Sequence, residues 1–298
     1  MADAEAKLPS LWPWERRVAF SEVQMSDFVE VGDRVWVARH DWWDLNIAVV
    51  GGDRGLLVVD THASEVAARE VVEGIGRLGA RRVVGIVNTH EHFDHTFGNA
   101  AFRDVDPALP IHAHEVAAER TISAGERIQA EYARHPENEH AAEVMATRIV
   151  PADHVFSAAR SIDLGDRAVE LSYHGRGHTG GDAIVHVPDA QVIVMGDLIE
   201  ESAPPVYGAD SFPLDWPATV AEVEPMLRGD TVVVPGHGAV VDRAFVRRQA
   251  ENLTRVATTI RGFHAADVPV EVALESNEWP WDPVVLTHAV ERGYEQLR

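Results

Sequence analysis

The sequence predicts an α/β fold made of two similar halves. Three observations carry this: short apolar strands alternate with amphipathic helices, the chain is 46% apolar and 25% charged over 298 residues, and one strand–helix–strand pattern occurs twice. Alternating strands and helices are the mark of βαβ units, and such a length and composition support one large core or two small ones. Leu56-Leu57-Val58-Val59-Asp60 is a strand ending in Asp, and the next long apolar strand ends at His90. Val192-Ile193-Val194-Met195-Gly196-Asp197 repeats the pattern, and a later strand ends at His237. Two βαβ halves facing each other bring all these strand ends to one rim.

The elements follow in order. Residues 1 to about 20 read as a loose N-terminal arm, with Leu11-Trp12-Pro13-Trp14 able to dock on the body. Phe28–Val31, Val35–Ala38, Ile47–Val50 and Leu56–Asp60 form an antiparallel meander, separated by the turn signals Gly32-Asp33 and Gly51-Gly52-Asp53. Ala63–Leu78 is a helix with Val71, Val72, Ile75 and Leu78 on one side, and Arg82–Asn88 is a buried strand. Ile111–Ala113 is a short strand. The polar stretch of about 115–150, broken near Pro136, reads as an inserted helical hairpin. Ala168–Tyr173, Ala183–Val187, Val192–Met195 and Thr231–Val234 are strands, and Ala218–Leu227 is a helix that Pro225 can end early. C-terminal helices occupy about 242–298: Val246, Leu253, Val256, Ile260 and Phe263 form one apolar stripe, and a last helix spans Val284–Leu297.

Charge narrows the function. With 48 acidic against 26 basic residues the formal net charge is −22, a surface that repels phosphate backbones and anionic membranes. No nucleic-acid or membrane partner is expected. There are no cysteines, so neither a disulfide nor a thiolate nucleophile or ligand is available. The first residues lack a basic-then-apolar signal pattern, and no apolar run reaches membrane-spanning length. A cytoplasmic location is the expectation.

The chemistry concentrates in four patches at strand ends. They are Thr89-His90-Glu91-His92-Phe93-Asp94-His95, Gly177-His178-Thr179, Gly196-Asp197 and Pro235-Gly236-His237-Gly238. Imidazoles and carboxylates are ligands that zinc and iron accept. In an irregular turn after a strand, His90, His92, Asp94 and His95 can converge on a small volume, and Gly98 lets the chain bend into the next helix. The inventory suffices for two adjacent metal ions, an arrangement suited to hydrolysis. No Gly-x-Ser-x-Gly elbow is present.

His-x-His-x-Asp-His, Gly177 to Asp182, the strand ending Gly196-Asp197, and Pro-Gly-His-Gly, in that order, resemble the metallo-β-lactamase-fold superfamily. Asp60 is the remaining match, and the resemblance runs from roughly Val23 to the C-terminal helix. It implies a four-layer αβ/βα sandwich with metals at one edge of two sheets, here over residues 21–298. It also implies two zinc ions per chain, with iron or manganese as alternatives. The first would take His90, His92 and His178 and the second Asp94, His95 and His237. Asp197 would bridge them, and Asp60 would fix a ligand imidazole. Aspartate rather than another residue at 197 resembles the thioesterase, lactonase and phosphodiesterase branch.

The implied activity is hydrolysis of a small ester, thioester, lactone or amide by a hydroxide shared between the metals, with Asp94 orienting the nucleophile and passing a proton to the leaving group. β-Lactam cleavage and iron-dependent redox chemistry are the alternatives. A small-molecule substrate is expected, and a homo-oligomer is compatible with the sequence. Glutathione thioesters fit less well, because two carboxylates want basic partners, although Arg243, Arg247, Arg248, Arg255 and Arg261 could form a patch. Trp42, Trp43, Trp279 and Trp281 point to a more neutral, partly apolar substrate, with Trp42-Trp43 as a flap over the site. Tyr207 is a candidate to face the cleft and assist the oxyanion. His62 is a weaker candidate near the metals, and His112 and His114 read as structural.

Overall fold

Alternation along the strands builds the architecture. The computed structural model describes residues 27–79 and 81–298, so the expected N-terminal arm lies outside the described residues. The first half contains β1 (Val29–Gly32), β2 (Val35–His40), β3 (Leu45–Gly52), β4 (Gly55–Val59), α1 (Glu65–Arg77), β5 (Val83–Val87), β6 (Ile111–His114) and β7 (His154–Phe156). Between β5 and β7 run α2 (Phe93–Thr96), α3 (Asn99–Val105), α4 (Glu115–Arg134) and α5 (Ala141–Ala146). The second half contains β8 (Ala159–Asp163), β9 (Ala168–Tyr173), β10 (Ala183–Val187), β11 (Val192–Glu200), α6 (Trp216–Val223), β12 (Val232–His237), α7 (Arg243–Ala265), α8 (Val270–Leu274) and α9 (Thr287–Gln296).

The strand order is β7-β6-β5-β4-β3-β12-β11-β10-β9-β8, with β2 also on β3 and β1 on β2. β4, β5, β6 and β7 pair in parallel, as do β11 and β12. β3 and β12 meet only at Leu45 and His237, so two sheets hinge at the point where a candidate ligand sits. Side chains alternate between their faces. Leu57, Val59, Val50 and Val87 of the first sheet share one core with Val169, Val185, Val194 and Val234 of the second. On the far side of the first sheet, Ile47, Val58 and Ile86 pack with Val71 and Ile75 of α1 and Phe102 of α3. On the far side of the second, Ile193 and Val233 pack with Val220 of α6, Val256 and Ile260 of α7 and Val290 of α9. The result is four layers in the order helix, sheet, sheet, helix. Each fully buried Val, Leu or Ile contributes about 1.5–3 kcal/mol.

Several elements depart from the sequence-based expectation. β8 is an exposed, charged edge strand and β7 has only three residues, so neither carries an apolar run. β11 continues past Met195 to Glu200, passing a register shift at Gly196. The polar insertion is a long leg, α4, and a short return, α5. Its Tyr132, Ala141 and Val144 pack on Phe93 and Phe97, which clamps the turn carrying the histidine cluster. Gly98 is needed for closeness more than for a bend: a Cβ there would lie 1.8 Å from the Thr61 carbonyl oxygen. Among the described residues no helix is long and apolar enough to cross a membrane.

Candidate metal centre

β5 ends at Val87, and the chain turns through His90 and His92 into the short helix α2, which holds Asp94 and His95. His178 lies in the turn before β10, Asp197 in β11 and His237 at the end of β12. All seven candidate ligands are therefore gathered on one rim. His90, His92, His178 and Asp197 form one group of potential ligand atoms, and Asp94, His95 and His237 another, each with its atoms within 4.8 Å of one another.

The Asp197 carboxylate joins the two groups. Its Oδ2 lies 3.3 Å from His178 Nε2, 3.8 Å from His90 Nε2 and 3.3 Å from His237 Nε2, and its Oδ1 lies 3.2 Å from His95 Nε2. Asp94 Oδ2 is 3.4 Å from His95 Nε2 and 3.3 Å from His237 Nε2. Tetrahedral zinc with bonds of about 2.0–2.1 Å separates its donors by roughly 3.3–3.4 Å, so this spacing fits such an ion. A second observation agrees. Among the described residues His90 Nε2, His95 Nε2 and Asp197 Oδ1 are buried without a hydrogen-bond partner, an arrangement that costs free energy unless something else satisfies them.

Neighbouring groups aim the ligands. The Nδ1–H groups of His95, His178 and His237 are oriented at Asp60 Oδ2 (2.8 Å), the Val206 carbonyl (3.0 Å) and the Trp43 carbonyl (2.7 Å), which turns each Nε2 toward the centre. His92 is reversed: its Nδ1 faces His178 Nε2 at 2.9 Å, and its Nε2 meets Asp210 at 3.4 Å. Asp60 also accepts from Thr89 N and Thr89 Oγ1, both at 2.8 Å. The scaffold is strained here: Trp43, Asp44, Asp60 and His62 all have positive φ, the kind of outlier that gathers at functional sites. Arg39 pairs with Asp44, and Asn46 Nδ2 donates to the Pro235 and Gly238 carbonyls at 3.0 and 2.7 Å.

Burial and charge divide the imidazoles. Burial holds His90 well below its ordinary value and His178 down at about 4, which keeps both in the neutral, metal-binding form. Burial works the same way on His92, but the Asp210 charge and hydrogen bond raise it to about 9. His95 and His237 are also buried, yet Asp197, with Asp94 and Asp60 or Glu200, pulls them well above the usual range. A metal ion at these two positions would displace protons that the ionised carboxylates favour on the imidazoles.

The other candidates fall as follows. Asp60 sits behind His95, as the resemblance implies. Tyr207 does not open into the cleft. Its ring is buried 5.0 Å from Trp216 in the helical-side core, and its hydroxyl has no partner among the described residues; the residues before it are apolar, and the ring follows them inward. Trp43 packs edge-on against Phe93, whereas Trp42 stacks on His140 of the insertion at 3.7 Å. Trp279 is buried beside Phe263. His62 is buried beside His40 and Trp42 and takes a hydrogen bond from Ala63 N, outside the ligand groups. His114 caps α4 and stacks on Tyr173, and His112 packs on His154. Sequence reasoning missed Glu200, which forms a third potential ligand group with Asp197 and His237. An acid three residues past Asp197, after Leu198-Ile199, was the available signal. Asp210 was missed because only folding places it beside His92.

Asp60→Asn should keep the shape but put an amide N–H against one of three donors. Metal affinity should fall about 10–100-fold, read by competition with a chromogenic chelator; unchanged affinity would remove Asp60 from this role.

The chain is 25% identical to a metallo-beta-lactamase type 2 of Bacillus sp. (strain 170) over 67% of its own length and 69% of that protein. It is 26% identical to the metallo-beta-lactamase type 2 of Bacillus cereus over 78% of its length and 84% of that protein. In structure it resembles a metallo-beta-lactamase from Pontibacter korlensis (TM-score 0.61, 19% identity, 77% of this chain and 99% of that one). It also resembles the inverting sec-alkylsulfatase Pisa1 from Pseudomonas sp. (TM-score 0.72, 14% identity, 91% of this chain and 50% of that one). The metallo-beta-lactamase superfamily matches residues 40–237, and with two thirds of its length inside that match the chain belongs to this superfamily.

Proposed function

We propose that this superfamily member is a dinuclear zinc hydrolase that cleaves a small ester, thioester, lactone or amide. The observation that carries the reading is Asp197, whose carboxylate lies within 3.3 Å of imidazoles from both ligand groups. His90, His92 and His178 would hold one ion, Asp94, His95 and His237 the other, and Asp197 both. Such ions supply Lewis acidity and bring the pKa of a water molecule near neutral. Asp94, 3.4 Å from His95 and 3.3 Å from His237, would orient the attacking water and take up its proton for the leaving group. Asp60, Val206 and Trp43 keep three imidazoles in one tautomer and one orientation. All donors are nitrogen or oxygen, since the chain has no cysteine, and a set of mainly imidazoles suits zinc, with iron and manganese as competitors.

A second reading is β-lactam hydrolysis, favoured by the names of the Bacillus relatives. One experiment separates the two. The zinc-loaded protein is assayed against a thioester, an acyl lactone, a chromogenic cephalosporin and a phosphodiester, each with and without chelator. Chelator-sensitive turnover of the thioester or lactone is expected. Turnover of the cephalosporin alone would support the second reading, and silence across the panel with both metals bound would overturn both.

A further inference from the structure

The strongest feature that the hydrolytic centre does not use is a cavity of about 320 Å³ beside it, between the helical insertion and the loop after β11. Its volume suits part of a small ligand. Arg120, Ser123, Ala124 and Arg127 of α4 line it. Their spacing of i, i+3, i+4 and i+7 makes them one stripe of the helix. The two arginines stand two turns apart, roughly 10 Å along the axis, and the small residues between them leave the space open. Phe212 and Arg292 face them. Arg292 lies over the Phe212 ring, 5.7 Å from its centroid. Three guanidinium groups thus converge in a chain of net charge −22.

Two carboxylates also line the cavity, and Glu295 pairs with Arg292 on α9, yet each guanidinium has five N–H donors, more than these contacts use. Asp210 is shared, 3.0 Å from Arg127 and 3.4 Å from His92. Glu91 lies between two candidate ligands in sequence, and its oxygens have no hydrogen-bond partner among the described residues. Arg120 stands 3.8 Å from it, beyond hydrogen-bond distance. The Asp210 contact connects the cavity to His92, so a ligand seated there lies next to the metal centre.

We infer that this cavity holds an oxoanion group of the substrate, with Arg120, Arg127 and Arg292 as its binding residues and Phe212 against the adjoining carbon chain. Arginine forks bind carboxylates and tetrahedral oxoanions through paired, charge-assisted hydrogen bonds. The inference rests on the hydrolase reading, and it revises the expectation of a neutral, apolar substrate drawn from the tryptophans, two of which are packed into cores.

The test is isothermal titration of the metal-loaded full chain with glutarate, its neutral diamide and sulfate. Glutarate or sulfate should bind at least about tenfold tighter than the diamide. Tighter glutarate assigns a carboxylate, and tighter sulfate a sulfate or phosphate. Arg120→Gln and Ser123→Glu should each erase most of that preference. Ser123→Glu adds an acid to the exposed stripe without removing an arginine contact, so it remains informative if Arg120→Gln folds poorly. Oxoanion held only on metal would survive both substitutions, and that result, or equal binding of acid and diamide, overturns the proposal. For a carbonyl substrate from the panel, the acid-bearing form should beat its amide through KM, and Ser123→Glu should abolish the difference. Oxoanion binding without hydrolysis would keep the cavity and remove the hydrolase reading. Hydrolysis without charge preference would do the reverse.

Discussion

Asp197→Ala is expected to abolish turnover, with a loss in kcat/KM of about 10³-fold or more, and to lower metal content at both positions. The carboxylate faces His90, His95, His178 and His237 at 3.2–3.8 Å. Among the described residues no other acid of the centre pairs with imidazoles from both groups. Removing it leaves His95 and His237 buried with less opposing charge, and breaking a buried ion pair from one side costs about 3–5 kcal/mol. Asp197→Asn separates charge from shape: it should fill the same volume and still lose most of the metal. Elemental analysis after dialysis, circular dichroism and steady-state kinetics read all three quantities. Full activity with two metals in the alanine variant would end the assignment.

Gly236→Ala should have nearly as large an effect although it deletes no ligand. A Cβ at Gly236 would lie 1.8 Å from Asp197 Oδ1 and 3.1 Å from Asp197 N. The side chain cannot share that space, and moving it takes the carboxylate away from the imidazoles. Overpacking of this kind costs about 1–3 kcal/mol. We expect kcat/KM to drop by about 10²–10³-fold with one metal position weakened more than the other. Gly262→Ala is the control. Nothing lies within 4 Å of a Cβ there, and Ala in a helix interior should stabilise by about 0.4–1 kcal/mol. If Gly236→Ala keeps both metals and full turnover, Asp197 does not occupy the shared position.

These two substitutions also show where sequence reading stops. Asp197 was legible as a candidate ligand because it ends an apolar run with Gly196, echoing Asp60. The His90–His95 cluster was legible because four ligand-type residues in six positions have few other uses. Glu200 was not, since β11 was read as ending at Met195, whereas it continues to Glu200. Tyr207 was misplaced because its flanking Ala-Pro-Pro run resembles a surface loop, while the space under His178 admits an aromatic ring beside Trp216.

What the sequence determined by itself was the set of parts: strands and helices in alternation, two echoing halves, seven candidate ligands and the order in which they arrive. Local periodicity and ligand chemistry are written in neighbouring residues, so they need no knowledge of the whole. Only the tertiary structure decided which distant groups meet. The two sheets are joined by strand pairing at the single pair Leu45 and His237, and the Trp43 carbonyl beside that junction meets His237. The docking of α4 against the loop after β11 places Arg127 on Asp210, and Asp210 on His92. Such meetings depend on how layers pack over long separations in sequence, and no local pattern encodes them.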